Sequence, residues 1–225
     1  MMTESRSSHQ LWAQAAVFGG LWGGVEITLG GFLHTLRVPL CGVLMAALQA
    51  GYMVAVRVAC GRRGVIVAMA AVAALVRGLA PVGAFFTPMI GIFSEGLIME
   101  LAFLLLPGVW APALVGGAVC PLLSVAQFVI YGFLFFGLQM VQLYDAVYQG
   151  AEKVLGASWA SFSLAVPLLI MAGCGALCGA WGVRLGKMTR ERVPNPQEAL
   201  FGESKPQEGV LSEKILSESS REVGG

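Results

Sequence analysis

The sequence predicts an all-α polytopic membrane protein, with six transmembrane helices in one bundle, both termini cytoplasmic and a disordered C-terminal tail. Three observations lead there. Of 225 residues, 57% are hydrophobic and 12% charged, with a mean hydropathy of +0.77, far from the balance of a soluble domain. Many of the charged residues lie after Gly186, in a stretch rich in Glu, Ser and Pro. The remainder is a string of apolar runs of the length a helix needs to cross a bilayer, about 20 residues. A net charge of +1 gives no basis for binding nucleic acid.

The six runs are 12–36, 38–58, 64–80, 86–106, 112–138 and 159–186. The third is short and stopped by Pro81, in a segment that reads as a turn. Pro88 falls in the first turn of the fourth, where a missing N–H costs least. The Pro107-Gly108 pair ends the fourth run, and Trp110 opens the fifth at a depth suited to an interfacial aromatic. The longest loop, around Gln139 to Ser158, has room for a short amphipathic helix. Residues 1–10 form an N-terminal tail, 11–187 the transmembrane domain and 188–225 a tail without core-forming residues. Glu4 and Arg6 precede a first run too long for the apolar core of a signal peptide, so the run reads as a retained helix.

Orientation follows from Lys and Arg near the span ends. Arg6, Arg57, Arg62, Arg63, Arg184, Lys187, Arg190 and Arg192 fall on one side, and Arg37, Arg77 and Lys153 on the other. The richer side is expected to be cytoplasmic.

Charges inside the runs are the candidates for function. A carboxylate at the centre of a membrane helix costs about 3 kcal/mol on insertion scales, so it is expected to face a protein interior, a polar cavity or a partner. Glu26 interrupts the first run, and Glu95 and Glu100 the fourth. Glu95 and Glu100, five residues apart, lie about 140° apart on a helix, so they cannot act as a paired acid and base. Glu100 lies toward the cytoplasmic end, within reach of Arg57 or Arg62, and reads as structural. The expected site comprises Glu26, His34, Arg77, Glu95 and Gln127 in the outer half of the bundle, with Arg37, Tyr131, Gln139, Tyr144 and Asp145 at a similar level. Neutralisation of Arg77 by Glu26 or Glu95 is the bland alternative. Gln49 reads as an interhelical hydrogen bond.

The first helix carries two adjacent rows of small residues, Ala15-Gly19-Gly23 and Ala16-Gly20-Gly24, which permit close backbone approach. Packing within the monomer and a partner helix are both open readings, since Ala172, Ala176 and Ala180 make a similar row in the sixth run. The five cysteines include no Cys-x-x-Cys and have no His or carboxylate close by in sequence, so no metal or other cofactor is expected. With two histidines in the chain and no His-Glu-x-x-His, an intramembrane hydrolase is not supported and the protein is not read as an enzyme.

Six helices in fewer than 200 residues, the small-residue first helix and the outward polar groups resemble the S component of energy-coupling factor (ECF) transporters. That resemblance implies a substrate-binding subunit for uptake of a vitamin, vitamin precursor or similar micronutrient, in a bacterial or archaeal cytoplasmic membrane. It implies that Ala15, Ala16, Gly19, Gly20, Gly23 and Gly24 dock on a transmembrane coupling subunit driven by two cytoplasmic ATPases. The chain carries no phosphate-binding Gly-x-x-x-x-Gly-Lys motif of its own. A stand-alone carrier or channel and a structural assembly protein are the competing readings.

Overall fold

A computed structural model describes residues 2–36, 41–79, 86–137 and 157–192, together with 139, 141, 142, 145 and 149. The described residues are helical, with no strand among them. Helix α1 (Met2–Val25) continues through a π-helical segment (Glu26–Gly30) into α2 (Gly31–Thr35). It is followed by α3 (Cys41–Cys60), α4 (Val65–Gly78), α5 (Phe86–Leu105), α6 (Trp110–Phe136) and α7 (Ala157–Arg192). Five of these helices are long and apolar enough to cross a membrane, while α4, with 14 residues, is shorter. The exposed Gln139 and Asp145 of the long loop are helical. Arg37, Tyr144, Lys153, Pro81 and the tail from 193 onward lie outside the described residues.

Helix boundaries follow the punctuation in the sequence. Gly61 and Gly64 (φ 65° and 82°) turn the chain from α3 into α4, and Gly108 (φ 77°) turns it from α5 into α6; positive φ is a conformation open to glycine at little cost. The first helix begins at Met2, so α1 includes residues of the expected N-terminal tail. The last helix runs to Arg192, past the expected end of the transmembrane domain at 187.

Packing matches the small residues of one helix to the backbone of the next. A Cβ on Gly19 would lie 2.5 Å from the Met69 carbonyl oxygen, and one on Gly23 would lie 2.7 Å from Val76 Cβ. Successive turns of α1 thus meet successive turns of α4, and the two helices run parallel. On the other side, Gly175 and Gly179 of α7 meet Gly117 and Ala113 of α6, while Gly182 and Gly186 meet Gly51 and Val58 of α3. The main core gathers Met53, Val54, Ile66, Met69, Met99 and Val183, among others, from α3, α4, α5 and α7.

The surface of the bundle inverts the soluble pattern. Leu21, Leu75, Phe128, Leu169 and Leu177 are each at least 60% exposed, while Glu26, Gln49, Glu95 and Glu100 are buried. Apolar surface on this scale needs an apolar surrounding, and buried carboxylates need protein partners. The protein is a helical membrane protein.

Basic groups gather at one end. Arg62 donates to Gln10, Arg57 lies 3.9 Å from Glu100, and Lys187 sits over the Trp110 ring at 5.4 Å. The start of α1, the α3–α4 turn, the end of α5, the start of α6 and the end of α7 therefore share this end.

Candidate functional site

Buried polar side chains from five helical segments form a layer across the bundle. Trp22 of α1 donates its indole N–H to Gln49 Oε1 at 2.9 Å, and Gln49 Nε2 donates to the Ile92 carbonyl of α5 at 3.2 Å. These two partners, one acceptor and one donor, fix which end of the Gln49 amide points where. Trp22 also stacks on Tyr52, with ring centroids 5.3 Å apart, and Tyr52 donates to the Phe18 carbonyl. Gln49 is the interhelical hydrogen bond expected of it.

One turn beyond Trp22 lies Glu26, buried at the point where the helix changes from α to π. A π turn removes the regular i→i−4 partners of nearby carbonyls. The Thr28 hydroxyl fills one of these gaps by donating to the Gly24 carbonyl at 2.8 Å. Gly30 faces the carboxylate, since a Cβ there would stand 3.4 Å from Glu26 Oε2. Arg77, in the last turn of α4, lies within Coulombic reach of Glu26 without making a contact ion pair. Its Nε–H is buried and donates to no partner among the described residues. Glu26 is also within Coulombic reach of Glu95.

Glu95 on α5 faces α6, where Ser124 donates to its Oε1 at 3.2 Å. Beside it, Gln127 Nε2 donates to Ser94 Oγ at 2.7 Å, and Ser94 in turn donates to the Gly91 carbonyl at 2.9 Å. Gly91 leaves room for the Gln127 amide, because a Cβ there would be 3.1 Å from Gln127 Oε1. The structure thus brings Glu26, Arg77, Glu95 and Gln127 to one level. His34 lies in α2, with its side chain outside the described set. Among the described residues no group of His, Cys, Asp and Glu has the makings of a metal site.

Glu100 belongs elsewhere. Its Oε1 accepts from the Gly64 N–H at 2.7 Å and its Oε2 from the Ile66 N–H at 3.3 Å. It therefore caps the N-terminus of α4, where exposed N–H groups and the helix dipole favour an anion. Arg57, which stacks on Phe103 at 5.6 Å, balances the charge.

The two rows of α1 separate in the structure. Ala15, Gly19 and Gly23 are buried, and α4 covers Gly19 and Gly23. That row is filled within the chain, which leaves no room on it for a partner helix. Ala16 is exposed, and nothing lies within 4 Å of a Cβ at Gly20 or Gly24. The rows differ by one residue, about 100° around the helix, which is enough to turn one inward and the other outward.

Sequence reasoning missed Trp22, Ser94 and Ser124. Trp22 reads as one more apolar residue, and serines are ordinary in membrane helices; only the fold shows which acceptors they meet. No family model, no curated protein and no solved structure matches this chain.

Proposed function

We propose that this protein is the membrane-embedded, substrate-binding subunit of an uptake system for a small solute such as a vitamin, vitamin precursor or similar micronutrient. In this reading it crosses the cytoplasmic membrane of a bacterium or archaeon six times with both termini inside. Separate coupling and ATPase subunits energise it, as in the S component that the chain resembles. The observation that carries the reading is the layer of buried Trp22, Glu26, Gln49 and Glu95 with half-buried Arg77 and Gln127 inside an apolar-surfaced bundle. A purely structural bundle gains nothing from keeping Glu95, 3% exposed, without a basic partner among the described residues, whereas a solute-binding protein uses such a group. The clustering of Arg57, Arg62 and Lys187 at one end of the bundle supports the inward orientation of that end. The outward row Ala16-Gly20-Gly24 is the face left for a coupling subunit.

Binding of the solute retained by the purified protein tests the reading. Loss of one charged partner from a buried hydrogen bond costs about 1.5–3 kcal/mol, so Glu26→Gln and Glu95→Gln should each weaken binding about tenfold or more. Glu100→Gln should leave it near the wild-type value. Equal binding by all three variants would remove the layer as the site.

A further inference from the structure

Arg77 is more than a counter-charge in this layer, because its position leaves a donor unused. On α4 it lies two helical turns past Ala70, which packs against Gly96 of α5. It lies one turn past Ala73, whose carbonyl oxygen would stand 3.3 Å from a Cβ on Gly23 of α1. The next residue, Gly78, meets Met89 of α5. The guanidinium therefore belongs to the seam where α1, α4 and α5 meet, beside the turn that carries Glu26. Glu26 and Arg77 stand within Coulombic reach there, yet the contact ion pair among the described residues is Arg57–Glu100. Neutralisation alone would draw the two charges into contact, since a bidentate pair satisfies both groups at once. Here the pair stays open, and the Nε–H of Arg77 is buried with no acceptor among the described residues. Such a donor is costly to leave unused. Glu95 is engaged on the α6 side, where Ser124 donates to it.

We infer that the solute of this layer carries no net charge and bridges the open pair, with a carbonyl-type oxygen accepting from Arg77 Nε–H and an N–H or O–H donating to the Glu26 carboxylate. A carboxamide, lactam or ureide presents those two groups side by side. This rests on the solute-binding reading and names its substrate class. The carboxylate and the guanidinium offset one another, so a charged solute between them would meet one attractive and one repulsive partner. Its own charge would then stand uncompensated in a low-dielectric interior, which is strongly disfavoured. A neutral bridge avoids that and gives the orphaned donor its acceptor. The side chain at 77 must be arginine for this purpose. Lysine keeps the charge opposite Glu26 but lacks the Nε–H and the planar fork.

The test uses the full chain purified in detergent, as wild type and Arg77→Lys. Molecules retained from the cells are released by denaturation and identified by mass spectrometry in both polarities. In parallel, thermal unfolding is followed with benzamide, benzamidine and benzoate, which share a shape and differ in charge. A retained molecule decides where there is one, and the order of the three probes decides where there is none. The inference expects a retained carbonyl compound, uncharged overall at neutral pH and bearing N–H or O–H groups, depleted about tenfold or more in Arg77→Lys. Without a retained molecule, it expects benzamide to raise the wild-type midpoint more than benzamidine or benzoate, and this advantage to vanish in Arg77→Lys. A retained cation or anion, a larger or equal shift with benzamidine or benzoate, or an Arg77→Lys protein that binds as wild type does overturns the inference and leaves solute binding standing. Should Arg77→Lys fail to fold, the wild-type molecule or the wild-type order of probes decides alone. If nothing is retained and none of the probes stabilises, the solute-binding reading falls, and this inference with it.

Discussion

Replacing Gly19 with alanine adds one methyl group, and the structure says where it must go. The new Cβ would lie 2.5 Å from the Met69 carbonyl oxygen and 2.7 Å from Val72 Cβ. Carbon atoms in contact prefer about 3.5–4.0 Å, so the deficit is roughly 1 Å. Neither neighbour can swing aside, because one is backbone and the other is the branch point of a β-branched residue on a helix. The helices must part, or α1 must bend, over at least one turn. Overpacking of this kind costs about 1–3 kcal/mol for small insertions, and leucine should exceed that. Gly23→Ala meets Val76 at 2.7 Å and should behave alike. Gly20→Ala and Gly24→Ala, with nothing within 4 Å, should be near neutral, as should their leucine counterparts. Thermal midpoints of the four alanine variants, with monodispersity on size exclusion in detergent, provide the measurement. Expected are lowered midpoints at 19 and 23 and unchanged midpoints at 20 and 24. Wild-type stability of Gly19→Ala, or collapse of Gly20→Ala, would refute the separation of the two rows.

Further outcomes follow from the other contacts. Glu100→Gln should lower the thermal midpoint, by about 1.5–3 kcal/mol in stability, because Arg57 loses its counter-charge and the capped α4 terminus its anion; an unchanged midpoint would show the cap to be dispensable. Gln49→Leu should cost about 1–3 kcal/mol by leaving the Trp22 N–H buried without an acceptor, and an equally stable variant would mean that the indole finds another. A reporter active only in the cytoplasm should work after Arg62 or Lys187 and fail near Pro81 or Gly150, and activity at Pro81 would reverse the orientation. Gly24→Leu should leave a folded, solute-binding protein that no longer supports uptake, and normal uptake would remove the outward row as a docking face.

Much of this was accessible from residue order, and the gaps have physical causes. A carboxylate in an apolar run is conspicuous because membrane insertion penalises it, so Glu26 and Glu95 stood out, and counting from the run ends placed them at one depth with Arg77 and Gln127. The role of Glu100 followed in part, since its distance from the other carboxylate and its nearness to Arg57 set it apart. Its capping of α4 did not, because that depends on how α5 lies against a turn 36 residues earlier. Two small-residue rows one residue apart look equivalent in sequence, and the position of α4 decides which is buried. The π segment at Glu26 carries no proline to announce it. Thr28 is its nearest sign, and a threonine in a membrane helix has many other uses.

The short α4 explains why the polar groups sit where they do. At 1.5 Å per residue its 14 residues span about 21 Å, well under the roughly 30 Å of a bilayer core. At least one of its ends therefore lies inside the low-dielectric region of a bilayer, where unpaired N–H and C=O groups each cost several kcal/mol. A carboxylate from α5 meets the amino end, as Glu100 accepts from Gly64 and Ile66. The carboxyl end carries Arg77 in its last turn, where a cation suits the negative pole of the dipole. That places a guanidinium at the depth of Glu26, so the carboxylate that interrupts α1 has a counter-charge waiting in the helix packed beside it. Glu95 has no such explanation. α4 runs parallel to α1 and packs on α5 as well, yet its one terminal cation serves Glu26. The buried Glu95, met by the Ser124 hydroxyl and by no cation among the described residues, is the part of the layer that folding alone does not require.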